Sequence, residues 1–132
     1  MQQLIKDLIA FHKACDVKQW FKNLKDIPDD IYELRLRLLE EEFEEFKEAH
    51  KNKDKVEMAD ALADMIYIAV GTANVMNIPL DKVWAEVQRS NMDKVDPETG
   101  KVKKREDGKV LKPEGWQGPK VKEVIDEHEM SS

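Results

Sequence analysis

The sequence predicts an all-α protein, a four-helix bundle of one domain followed by an irregular, basic C-terminal tail. Three observations carry that expectation. The 132 residues are 41% hydrophobic and 38% charged, too apolar for a disordered chain. Only 5 Gly and 5 Pro occur, too few turn residues for a many-stranded fold. Apolar residues also recur at three- and four-residue spacing in four successive segments. The length suits a single domain over 1–132, with a helical core over about 2–94 and a tail over about 95–132.

Leu4, Ile5, Leu8, Ile9 and Phe11 make residues 2–14 a short amphipathic helix, and residues 18–28 read as a connector. From 29 to about 50 the helical period returns, with Leu36, Leu39, Phe43 and Phe46 on one stripe and acids at the start to suit the helix dipole. Asp54 followed three residues later by Glu57 is a capping-box pattern, opening a third helix that runs to residue 76 without Pro. Asn77-Ile78-Pro79 stops it, and Leu80, Val83, Trp84 and Val87 form the stripe of a fourth helix ending near Met92. Turn signals at 96–100 and 106–108 allow a small hairpin in the tail, and Val121, Val124 and Ile125 a last short helix.

Several function classes are excluded. With 22 Lys+Arg against 28 Asp+Glu, the net charge of -6 argues against an overall grip on nucleic acid. No apolar run approaches the roughly 18 residues of a membrane span, and Lys6, Asp7 and Lys13 interrupt any signal-peptide core. The single Cys15 suits a reducing compartment, so the cytoplasm is expected. There is no GxxxxGK[ST] loop, no EF-hand spacing, no HExxH pair and no nucleophilic triad.

The acids are distributed unevenly. Residues 29–64 hold 13 acids against 6 bases, a local net of -7. Glu40, Glu44 and Glu48 read as a solvated face. Glu41, Glu42 and Glu45, by contrast, can aim carboxylates at one edge of the bundle, because Glu42 lies about 60° from the centre of the apolar stripe. In the third helix, Asp64 is the only acid between Ala61 and Met76, in a segment apolar nearly all round and therefore expected to be buried. An unpaired buried carboxylate is costly, so Asp64 requires a cation, a salt bridge to Arg35, Arg37 or a Lys, or a raised pKa. Glu57, Asp60 and Asp64 share an arc of about 60°. Two neighbouring helices each presenting two or three carboxylates suit a hard divalent ion, Mg²⁺ first and Mn²⁺ second.

With Glu41-Glu42-x-x-Glu45 on one helix and Glu57-x-x-Asp60 with Asp64 on the next, the chain resembles the all-alpha nucleoside triphosphate pyrophosphohydrolases, the MazG-like group, whose signature is EExxE followed by ExxD. The resemblance extends over about 29–125, through Leu38-Leu39-Glu40-Glu41-Glu42, Asp60-Ala61-Leu62-Ala63-Asp64 and Glu86-Val87-Gln88-Arg89-Ser90-Asn91 to Asp107-Gly108-Lys109-Val110-Leu111-Lys112-Pro113-Glu114-Gly115-Trp116. These tail words look most like the dimeric, phosphoribosyl-ATP pyrophosphohydrolase-like and dUTPase-like branch. The resemblance implies that Glu41, Glu42, Glu45 and Asp64 bind Mg²⁺. The literal ExxD is Glu57-x-x-Asp60. Aligning on the apolar run instead makes Asp64 the aspartate and Ala61 the Glu position, with Asp60 as substitute and Glu57 behind it.

The implied reaction splits a nucleoside triphosphate between its α and β phosphorus atoms, with Glu41 or Glu42 as general base on the attacking water. The resemblance further implies that Arg89, Asn91 and Lys94 reach the nucleotide. Residues 94–112 carry 7 bases against 4 acids, and Lys109 and Lys112 could close over the phosphates with Trp116 on a base. Alternatives are a phosphoribosyl-ATP pyrophosphohydrolase of histidine synthesis and a non-catalytic helical interaction module. Four short helices bury little apolar surface, so a homodimer, or a tetramer, is expected to complete the core.

Overall fold

The computed structural model describes residues 1–16 and 20–131. It is all-α apart from one two-stranded hairpin. The chain divides into two compact units, one ending at Ile78 and the other starting at Pro79.

Three helices build the first unit: α1 (Gln2–Ala14), α2 (Asp29–Lys51) and α3 (Lys55–Val75). All three start and stop within a residue of the positions that periodicity and capping predict. Of the expected connector, residues 18 and 19 lie outside the described residues, and Leu24–Asp26 forms a single 3₁₀ turn. Two acids, Asp29 and Asp30, occupy the first turn of α2, where the dipole favours negative charge. At α3 the Asp54 carboxylate accepts the Glu57 backbone N–H at 3.1 Å, so the capping pattern forms on its Asp54 side. Asn77, with φ 55, lets the chain leave α3 through the left-handed region, and the Ile78 N–H returns to the Ala73 carbonyl at 2.9 Å.

The core of this unit is Phe21, Ile27 and Val75, packed by Ile31 and Met76. Leu8 of α1 is fully buried, and α3 buries the small residues Ala61, Gly71 and Ala73, which let the helices approach closely.

Two expectations about burial fail in one direction. Leu62 and Ile66 of α3 remain 47% and 50% exposed, so the helix is apolar all round but covered on one side only. On α2 the residues buried are Arg35 and Ala49, while Leu36 and Phe43 of the expected core stripe are exposed. Periodicity locates an apolar face; it does not say whether this chain or another covers it.

The second unit contains α4 (Leu80–Met92), the antiparallel strands β1 (Val95–Asp96) and β2 (Lys101–Val102), and α5 (Val121–Met130), which packs on α4. Gly100, at φ 69, closes the hairpin by donating its N–H to the Asp96 carbonyl. A second turn follows, with Lys104 bridging Val110 and the Leu111 N–H donated to Lys103 at 2.8 Å. The tail is therefore more ordered than its turn residues alone indicate. The Trp116 indole N–H donates to the Ser90 carbonyl at 2.7 Å and ties the tail to α4.

A candidate metal centre on the α2–α3 hairpin

A short turn at Asn52 and Lys53 makes α2 and α3 an antiparallel pair. Glu42 and Glu45 lie one turn apart on α2, and Asp64 lies on the facing side of α3. One carboxylate oxygen from each falls within 4.8 Å of the others. Such a group of hard oxygen donors is unfavourable by itself, because three like charges in close quarters repel.

The electrostatics of Glu42 show that strain. Loss of water pushes its carboxyl up to about 7, helped by the hydrogen bond and charge of Glu45 and then by the charges of Asp64 and Asp60. Its Oε2 is shut off from solvent and has no hydrogen-bond partner among the described residues. Asp64 has no ion pair among those residues either, so the salt bridge to Arg35 or Arg37 that the sequence allows is not made. The donor set, its spacing and the orphaned oxygen together fit a small divalent cation.

The remaining predicted acids stand outside this group of three. Asp60 is exposed and acts on Glu42 by charge. Glu41 and Glu57 are exposed.

The predicted substrate residues lie in the second unit. Arg89 is engaged by Glu86, by Asp93 at 2.6 Å and by the Gly118 carbonyl at 3.2 Å, which makes it a clasp between α4 and the tail. Lys94 donates to the Asn91 side chain at 3.0 Å, and its ammonium sits 5.0 Å from the centre of the Trp116 ring, with that of Lys112 at 5.1 Å. Lys109 is exposed within the second turn, its carbonyl accepting the Arg105 N–H at 2.8 Å. A cleft of about 230 Å³ is lined by Lys94, Lys103 and Lys112 and also by the acids Asp93, Asp96 and Glu114. Lys103, which charge counting includes without singling out, thereby joins two of the predicted lysines.

Sequence reasoning offers Arg35 only as a partner for Asp64 and misses that it is buried beside His12 with other partners. Arg35 of α2 is 8% exposed and His12 of α1 is 6% exposed. The Arg35 Nε–H donates to Thr72 Oγ1 and its Nη2 to the Ile68 carbonyl, both at 3.1 Å. Burial first, and the Arg35 charge second, hold the His12 imidazole below its usual range.

Residues 12–91 match the family model of phosphoribosyl-ATP pyrophosphohydrolase. The chain belongs to that family. With it comes membership of the all-alpha NTP pyrophosphohydrolase superfamily, so the chemistry is pyrophosphohydrolysis. No curated protein matches the chain. The phosphoribosyl-ATP pyrophosphohydrolase match contains Glu42, Glu45, Asp64, His12 and Arg35, with Arg89 and Asn91 near its end. It stops before Lys94 and the rest of the lysine cleft.

Proposed function

We propose that this chain is a Mg²⁺-dependent pyrophosphohydrolase that splits nucleoside triphosphates, ribo or deoxy, into the monophosphate and pyrophosphate, in nucleotide-pool housekeeping. The observation that carries this reading is the convergence of Glu42, Glu45 and Asp64. Those three would hold the ion, with Asp60 beside them; when bound, it supplies positive charge to the phosphate oxygens and acidifies a coordinated water.

The chain's own residues do the rest. Glu42, whose Oε2 has no hydrogen-bond partner among the described residues, accepts the proton of the attacking water and passes it to solvent. Glu41, exposed beside it, and Glu57, one turn before Asp60, contribute negative charge around the centre. The second unit has cationic donors of its own, Lys94, Lys109 and Lys112, of the kind that phosphates accept. Arg89, Asn91 and Trp116 hold the segment that presents those lysines.

A second reading has its own support: the matching family is described by phosphoribosyl-ATP, and that substrate presents the same α–β anhydride to the same carboxylates. Incubation with each nucleoside triphosphate, dUTP and phosphoribosyl-ATP, with and without Mg²⁺, decides between them when the phosphorus products are resolved. Monophosphate and pyrophosphate from a triphosphate, only with metal, is the expected outcome; turnover of phosphoribosyl-ATP alone selects the second reading. No hydrolysis by folded protein leaves the helical interaction module.

A homodimer, or a tetramer built from it, belongs to the same proposal. Its support is the exposed apolar surface of the first unit, where Leu62 and Ile66 extend one side of α3 and Phe11 meets Tyr67 edge to face at 5.8 Å. Among the described residues, no single helix is long and apolar enough to cross a membrane.

A further inference from the structure

Arg35 is a buried cation with no acidic partner among the described residues, and residues 17–19 contain no acid. Burying a guanidinium without a counter-charge costs stability, and an apolar residue of the same volume would often serve packing better. Its bonds show what the cost secures. The fork spans one turn of α3, from the Ile68 carbonyl to Thr72 Oγ1, while Thr72 Oγ1 itself donates to the Ile68 carbonyl at 2.8 Å. Space for it is made at Gly71, where a Cβ would lie 2.6 Å from Arg35 Nη2.

The turn at Asn52 and Lys53 ties α2 to α3 at one end of the pair. Arg35, seventeen residues before Asn52, ties them again further along. Glu42, Glu45 and Asp64, with their oxygens gathered within 4.8 Å, lie between the turn and this second tie. Arg35 lies seven residues before Glu42, hence on the same face of α2 and about 10 Å along its axis. Its partner Ile68 lies one turn beyond Asp64 on α3. With the turn on one side and Arg35 on the other, the two helices are held against each other across the carboxylates.

We propose that Arg35 is a positioning residue, a register lock whose two bonds to α3 hold Asp64 against Glu42 and Glu45. This rests on the metal-centre reading above. Buried polar groups on packed helices are best attested in this role, fixing register at some expense of stability.

The test is Mn²⁺ affinity, read by electron paramagnetic resonance on the full chain, beside helicity and the melting temperature without metal. Arg35→Met is expected to stay helical, to melt no lower than the wild type, and to bind Mn²⁺ at least about tenfold more weakly. Thr72→Val, which removes one acceptor at constant shape, should weaken binding in the same direction and decides the matter if Arg35→Met fails to fold. A folded variant that binds Mn²⁺ as tightly as the wild type overturns the lock and leaves the metal centre standing. A wild-type protein that binds no Mn²⁺ overturns the metal centre itself, and the lock with it.

Discussion

Glu42 carries opposite demands at the scale of a single side chain. Its carboxyl ionises only near 7 in the fold, above the ordinary carboxylate range, so the folded chain holds this proton more tightly than the unfolded one. Its contribution to stability is therefore full at acid pH and is lost as pH rises through about 7. Glu42→Gln keeps the neutral form at every pH. In metal-free protein above pH 7 it should raise the melting temperature by roughly 3 °C or more, with the gain vanishing towards pH 5. Its hydrolytic rate should fall by about 10³-fold, and a variant that turns over normally would remove Glu42 as the proton acceptor. The sequence shows Glu42 and Asp64 because an acid beside an apolar stripe contradicts its surroundings. The burial of Arg35 and His12 escapes notice because one of several basic residues in an acidic helix, or a His near a helix end, conforms to its surroundings.

At the scale of the helix, α1 docks through Leu8 and through His12, whose imidazole lies against Arg35. Burial and that guanidinium disfavour the imidazolium, so the neutral form supports the fold. The stability it provides is present above the unfolded value of about 6.5 and is lost as pH falls below it. Melting curves between pH 7 and 5 should show the wild type losing stability more steeply than His12→Gln; parallel curves would place the acid sensitivity elsewhere. Helix ends were legible because each has local chemistry: Asp54 at the start of α3, and Asn77 and Pro79 after its end. The partnering of faces was not, since Leu36 and Phe43 follow the same period as residues that are buried. The tie between α2 and α3 away from their turn was equally hidden, because Arg35 and Thr72 are thirty-seven residues apart.

For the molecule as a whole, the apolar surface of the first unit predicts self-association. Ile66→Glu puts a charge in the middle of that surface and should convert a dimer, seen by light scattering during gel filtration, into a monomer with its helicity kept. A wild-type monomer at micromolar concentration would contradict the assembly. The all-α class follows from composition and period alone, whereas the order of the tail depends on the Trp116 to Ser90 bond and on Arg89 reaching Gly118, neither of which has a pattern in sequence. The indole that pins the tail also lies beneath two ammonium groups. Its fluorescence is thereby coupled to where those lysines point. A movement of Lys94 or Lys112 off the ring should therefore change the light Trp116 emits, read against the emission of Trp20 and Trp84.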